Sequence, residues 1–409
     1  MQRQAERHRV VITGLAAMAG QAGNLDDFGT ALERGLPALG TPLGLPAWET
    51  WLAGQGHGSG TVAASLHRLG RSASLSLRAA LAVAADALAM ATAASAALPG
   101  ESVGVIVAGS NLQLARAWQA YEKFRAEPAY LSPRYGYEFY DTHVMAVLAE
   151  AFGLRGPGAT VGGASASGNV AILNALDLVR QGRVAACLVV GPLPELSPVE
   201  WHALSAMGAL APKGVACRPF DRSAAGFVPG EACAALVVES EHGARTRGAL
   251  ALAELAGAWS GLGGSHLPDP DIDSEVRAMS GALSDAGADL TDLDYVSAHA
   301  TSTPAGDAAE CEALRRFLAG RAREVPVNAT KSLVGHALQA AGVVELVALV
   351  LQMRGGFVHG TAGLDRPIAD DLWLVGPRAV EHRIRLGLSN SFGFGSIATC
   401  VAVRSIEGS

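Results

Sequence analysis

Two kinds of apolar segment alternate along this chain, and their lengths separate strands from helices. Short unbroken runs at residues 10–13, 103–108 and 185–190 predict strands buried on both faces, because a half-exposed strand would alternate polar and apolar positions. Residue Gly14 reads as the end of the first strand. Between the strands, residues 24–36 carry an amphipathic helical pattern, and 76–98 predict a long alanine-rich helix stopped by Pro99 and Gly100. Residues 37–60, rich in glycine and proline, predict a loop. A glycine- and serine-rich turn, Val161-Gly-Gly-Ala-Ser-Ala-Ser-Gly-Asn169, feeds a run to Arg180 that is apolar nearly all round, which predicts a buried helix stopped by Gly182.

From about Leu250 the alternation restarts. A strand is followed by a helix over 274–286, a strand over 294–298, a helix over 307–318, a strand over 325–328 and a helix over 338–353. Strands over 384–388 and 399–403 close the chain. Two βαβ-rich stretches predict a layered α/β fold with buried sheets, although no repeat is visible as sequence identity. Residues 112–150 differ from the rest in carrying Trp118, Tyr121, Phe124, Tyr130, Tyr135, Tyr137, Phe139 and Tyr140. That composition suits a subunit interface, a pocket lid or a satellite core.

Composition narrows the function classes. Half of the 409 residues are apolar and 17% are charged, which suits a protein with ample core. A net charge of −7 with scattered basic residues gives no support to nucleic-acid binding. The five cysteines lie far apart without a CxxC pair, as expected of reduced core residues in a cytoplasmic protein. The first eight residues lack the apolar core of a signal peptide. The most apolar helical segments contain Arg78, Asp86 or Glu345, so no membrane span is expected. Neither His299 nor His336 has a second ligand two to five residues on, and no cysteine cluster exists, so no metal is expected.

Four stretches place polar residues in apolar surroundings. Ser165 would stand at the mouth of the buried helix, in the positive end of its dipole. His299-Ala-Thr-Ser-Thr-Pro follows a strand directly, Lys331-Ser-Leu-Val-Gly-His336 precedes a helix, and Asn390-Ser-Phe-Gly-Phe394-Gly lies between the last strands. Singly, these read as an ordinary tight turn, a structural histidine, a surface lysine and a Gly-Phe-Gly turn.

Together, and in this order, they resemble the ketosynthases, the thiolase-fold β-ketoacyl-carrier-protein synthases of fatty acid and polyketide assembly. The resemblance runs over nearly the whole length and includes the stretch from Arg218 to Glu231, similar to that family's loop between two halves. It implies a thiolase-like αβαβα layered fold, with residues 1–249 as the half carrying Ser165 and 250–409 as the half carrying His299, Lys331 and His336. It implies an oxyanion hole from the backbone N–H groups of Ser165 and Phe394, a supporting carboxylate at Glu345, and phosphopantetheine contacts from Thr301 and Thr303. No cofactor is implied beyond the phosphopantetheine arm that carries the substrate on an acyl carrier protein.

One departure redirects the expected chemistry. Ser165 stands where the family carries its nucleophilic cysteine. A helix N-terminus can bring a thiol to a thiolate near neutral pH, whereas a hydroxyl there stays protonated without an adjacent base. Acyl transfer is therefore expected to be crippled, while decarboxylation, which needs donors to the thioester oxygen of a malonyl unit, is expected to survive. Two such donors at roughly 2.7–4 kcal/mol each, from His299 and His336, supply a large share of the barrier reduction, and a proton from water then completes the acetyl group. Ala300 and Ser396, where the family usually has glycine, are expected to narrow the pocket.

A serine-for-cysteine chain with both histidines resembles the free-standing malonyl-carrier-protein decarboxylases of polyketide β-branching cassettes, in the context of Ser165 and in Glu195-Leu-Ser-Pro-Val-Glu200. Two further readings remain open: a non-catalytic subunit of chain-length-factor type, and a Ser165-dependent acyltransferase with a histidine base. The expected partners are a malonyl-loaded acyl carrier protein and a second copy of the chain, paired along the strand beginning at Ala159.

Overall fold

The structure is a computed structural model that describes residues 8–38, 42–45, 47–54 and 61–406. Five strands come from the first part of the chain: β1 (Val10–Ala19), β2 (Val103–Ala108), β3 (Gly158–Val161), β4 (Ala186–Gly191) and β5 (Ala232–Ser240). The second part gives β6 (Ala253–Leu262), β7 (Tyr295–Ser297), β8 (Val327–Asn328), the small pair β9 (Phe357–Val358) and β10 (Val380–Glu381), then β11 (Leu386–Gly393) and β12 (Ile397–Arg404). All but β9 and β10 join one ten-stranded sheet in the order β3-β2-β4-β5-β1-β6-β12-β11-β7-β8. The order is a repeat. Counted from either edge inward, each half runs third, second, fourth, fifth and first strand. The strand directions repeat as well, with parallel pairs outside and antiparallel pairs inside. The halves meet where β1 pairs with β6, through Val11 opposite Glu254 and Ile12 opposite Ala253.

Three apolar clusters fill the spaces between five layers. Helix Leu75–Thr92 and helix Thr142–Phe152 cover the outer face of the first half. Helices Ile272–Asp285 and Pro304–Leu318 cover that of the second. Helices Ser167–Arg180 and Ala341–Gly355 lie in the middle and bury side chains from strands of both halves. This is the thiolase-like αβαβα architecture. Leu75–Thr92 and the stretch Leu338–Gly355 are long and apolar enough to cross a membrane, yet both are packed largely inside these clusters. Two glycines let the middle helices touch at their N-terminal ends. A Cβ on Gly168 would stand 2.7 Å from the backbone N of Val343, and one on Gly342 would stand 2.7 Å from that of Asn169. The turns ahead of those helices are thereby brought together.

The sequence pattern needs several corrections. β1 runs on through Gly14 to Ala19, with a register shift between Ile12 and Gly14, so the glycine marks an irregularity and not a strand end. The loop expected over 37–60 contains the helix Trp48–Gly54, whose Trp48 and Trp51 stack and are buried; residues 39–41, 46 and 55–60 lie outside the described residues. β5, buried along eight of its nine residues, escaped the reading of pattern altogether. The aromatic stretch forms helix Leu114–Ala126 and shorter turns, and Tyr121, Phe124, Tyr130, Tyr137, Phe139 and Tyr140 are exposed, which rules out a satellite core. All five cysteines are free and buried.

Candidate active site

Each half delivers one turn to the centre of the molecule, just before its middle helix. In the first half, β3 leads into a single 3-10 turn, Ala164–Ala166, and then the helix Ser167–Arg180. Ala164 holds φ +49°, a conformation costly for a residue with a Cβ, and Ser167 Oγ braces the turn by accepting from Gly163 N at 2.9 Å and donating to Ala164 O at 2.6 Å. Ser165 is thus lifted half-exposed at the helix mouth. In the second half, β8 leads into Lys331–Val334, the left-handed Gly335, His336 and the 3-10 turn Leu338–Ala340. Ser165 Oγ and His336 Nε2 are 2.9 Å apart.

His299 stands two residues beyond the end of β7, and its ring is edge-on to that of His336, with centroids 5.7 Å apart. Lys331, fully buried, pairs with Glu345 of the middle helix and lies 3.4 Å from His299 Nδ1. An ammonium has only protons to offer, so Nδ1 of His299 accepts and the ring proton sits on Nε2. His336 Nδ1 is buried with no partner among the described residues. A proton there would be a buried donor without an acceptor, so Nε2 carries it on this ring also. Burial holds both rings well below the usual histidine range, with Lys331 adding to it and His336 adding further at His299. The site therefore offers two neutral imidazole N–H donors. Glu345 is pushed up to about 7 by burial, with Lys331 pulling the other way.

The chain segment between the halves clamps both histidine turns. His336 N donates to Val228 O at 2.8 Å, and Gly230 N donates to His336 O at 3.0 Å. On the other side, Gly226 N donates to Ser302 O and Arg218 N to Ser302 Oγ, both within the turn that follows His299. The hairpin between β11 and β12 closes the site. A Cβ on Gly393 would stand 2.4 Å from Gly163 O, so only glycine lets this hairpin lie against the serine turn, and Ser391 Oγ donates to Ser165 O at 3.0 Å. Phe394 is an exposed residue on the rim of the hairpin, and Phe392 packs against His299 with centroids 5.5 Å apart.

Ser165, His299, His336, Phe392 and Phe394 line one cavity of about 670 Å³. Thr301 and Thr303 stand on its wall with their hydroxyls 2.9 Å apart. Ala300 and Ser396 also line it. Ser396 holds φ +56°, the conformation that favours glycine, and turns its hydroxyl to Ser265 O at 3.0 Å. Glu195 and Glu200 lie at the same cavity, where Glu200 and Ser197 form a capping box on helix Pro198–Ala206. Two carboxylates were missed in the sequence. Glu310 accepts the backbone N–H of His299 at 2.9 Å and of Ala300 at 2.7 Å, plus Asn390 Nδ2 at 3.1 Å. Asp307 accepts from Phe220 N and Ser302 N, and burial pushes it up to about 7. The signal was there: two acids three residues apart put charge on the buried face of an otherwise core-packed helix. Among the described residues no group of three His, Cys, Asp or Glu side chains could hold a metal.

Comparison with known proteins identifies similar chains. The model of the beta-ketoacyl synthase N-terminal domain matches residues 7–244, and that of the C-terminal domain matches 252–365. The polyketide biosynthesis malonyl-ACP decarboxylase PksF of Bacillus subtilis (strain 168) is 38% identical over 344 residues, 82% of this chain and 81% of that protein. Among solved structures, a beta-ketoacyl synthase from Burkholderia phymatum STM815 superposes with a TM-score of 0.84 at 27% identity, over 98% of this chain and all of that one. A ketosynthase solved in complex with its type II polyketide acyl carrier protein gives a TM-score of 0.79 at 27% identity, again over 98% of this chain and all of that one.

Proposed function

The chain belongs to the beta-ketoacyl synthase family, and from that premise we propose that it removes CO₂ from malonyl-loaded acyl carrier protein to give acetyl-carrier protein without condensing. The observation that carries this reading is the pairing of two neutral imidazole donors with a serine in the nucleophile's turn. As the C–C bond to the carboxylate breaks, charge moves onto the thioester oxygen. Nε2–H of His299 and of His336, aided by the N–H groups of Ser165 and Phe394, stabilise it where it develops. Lys331 holds the His299 tautomer, and Glu345 balances the lysine's charge. Thr301 and Thr303 bind the phosphopantetheine arm.

The 2.9 Å contact between Ser165 and His336 raises a second reading, acyl transfer through the serine. That mechanism needs His336 to take the hydroxyl proton and become an imidazolium. Burial and Lys331 oppose this charge, and no carboxylate meets Nδ1 to stabilise it. The same contact serves a donor role without that cost. Assembly follows from the sheet: β3 is an outer strand paired only with β2 and mostly half-buried, an edge suited to continuation by a second copy. The product fits a β-branching pathway in which an HMG-CoA-synthase-like partner consumes the acetyl-carrier protein. Malonyl-carrier protein incubated with the protein and followed by mass spectrometry should lose CO₂ and leave an acetyl group. An unchanged malonyl mass would refute the proposal.

A further inference from the structure

Enolate formation is only half of a decarboxylation. A condensing enzyme spends the enolate on an acyl group, but here its carbon must take a proton. The two histidine N–H donors are committed to the thioester oxygen, the Ser165 hydroxyl lies against His336, and Lys331 is held between Glu345 and His299. One buried acid on the cavity wall has a carboxyl oxygen without a partner among the described residues. It is Glu275, on helix Ile272–Asp285, which is 4% exposed, and the oxygen is its Oε2. Of the other carboxylates on that wall, Asp271 caps the helix through Ser274 N, Glu200 takes the Ser197 N–H, Glu310 accepts three N–H groups, Glu195 accepts from Ser76 and Ser74, and Asp269 is exposed to solvent.

Glu310 makes Glu275 an acid. Both oxygens of Glu310 receive N–H groups, from His299, Ala300 and Asn390, an arrangement that suits an anion directly beneath the histidine turn. Two buried carboxylates in electrostatic contact cannot both ionise cheaply, so one proton stays on the carboxyl that has no donors. Burial, with Glu310 and Asp271 adding repulsion, pushes Glu275 up to about 9. The carboxyl that keeps its proton thus belongs to a residue of the cavity wall, where the reading above places the substrate.

We propose that Glu275 is the general acid that protonates the enolate carbon, converting CH₂=C(O⁻)–S– into CH₃–CO–S– once CO₂ has left. The proton moves from the Glu275 carboxyl to carbon, the enolate electron pair forms the new C–H bond, and the thioester carbonyl is restored. Glu275 is left as a carboxylate beside Glu310, and it regains a proton from solvent through the cavity. This assignment rests on the decarboxylase reading above.

The test is the isotopic choice made in forming the methyl group. Malonyl-carrier protein is turned over briefly in equal parts H₂O and D₂O, and the deuterium fraction of the acetyl group is read by mass spectrometry for the wild type, Glu275→Gln and Glu275→Ala. A positioned carboxylic acid and bulk water discriminate differently. The fraction should therefore shift in both variants, with acetyl formation slowed by up to about 10²-fold. A merely structural role would lower the rate and leave the fraction unmoved. An unchanged fraction in whichever variant folds overturns the role of Glu275 while leaving the decarboxylase reading intact; failure of the wild type to form any acetyl group overturns both.

Discussion

The two halves of this molecule share a scaffold and divide the chemistry unequally. Each runs third, second, fourth, fifth and first strand from its edge, and each sends a buried helix into the middle layer. Even the local strain repeats: Ala164 at φ +49° and Leu338 at φ +46° each stand three residues before their middle helix. Yet the first half brings only the Ser165 turn to the cavity centre, whereas the second brings His299, His336 and the Lys331–Glu345 pair. Their outer edges differ too. β3 is partly exposed, while β8 is buried and bridged by Leu374. The shared scaffold gives both halves the same geometry, while the histidines stand in one half and the open edge and Ser165 in the other.

The widest gap between the halves should come from the histidines. His299→Ala and His336→Ala are each expected to lower the rate of acetyl-carrier protein formation by about 10²–10³-fold, because each removes one donor to the developing oxyanion. Steady-state kinetics with malonyl-carrier protein measure this, and a loss below tenfold would break the division of labour. Lys331→Met leaves Glu345 buried without its cation, so that its carboxyl must either keep a proton or carry an unpaired charge. Breaking such a pair costs about 3–5 kcal/mol, so thermal denaturation should show a marked drop. Adding Glu345→Gln should recover stability without recovering rate, since His299 still lacks its Nδ1 donor.

A smaller effect sharpens the comparison through pH. Both histidines are held neutral in the fold, below the ordinary value of 6.5. The unfolded chain takes up protons at these rings as pH falls through 6.5, while the folded chain does not. Their contribution to stability is therefore complete above that pH and is lost below it, down to the depressed folded values. His299→Gln should flatten the acid limb of Tm against pH, whereas Ser165→Ala should leave that limb in place.

Much of this was legible in the sequence. The Ser165 turn, both histidine motifs and Lys331 stood out as polar residues in apolar runs, but singly they read as structural, and it was the resemblance to the ketosynthases that implied their roles. The second carboxylate layer was harder to see, with the spacing of Asp307 and Glu310 as its one trace. Glu310 and Glu275 sit inside amphipathic helices, where an acid reads as a solvated face until the packing shows it turned inward. β5 was overlooked although Ala232–Val238 is the same kind of unbroken apolar run that marked β2 and β4; its small, alanine-rich start passed for connecting chain. The internal repeat was legible only in strand order, because topology survives after sequence identity between the halves has gone.

The central claim is that the second half performs the chemistry and Ser165 forms no covalent intermediate. It is tested most directly by following malonyl-carrier protein with Ser165→Ala by mass spectrometry, including intact-protein spectra of the wild type during the first turnover. The account predicts that Ser165→Ala keeps most of the wild-type rate and that no acyl adduct appears on the wild-type chain. A Ser165→Ala variant as inactive as His336→Ala, or an acyl-enzyme burst on Ser165, would contradict it and give the catalytic role to the first half.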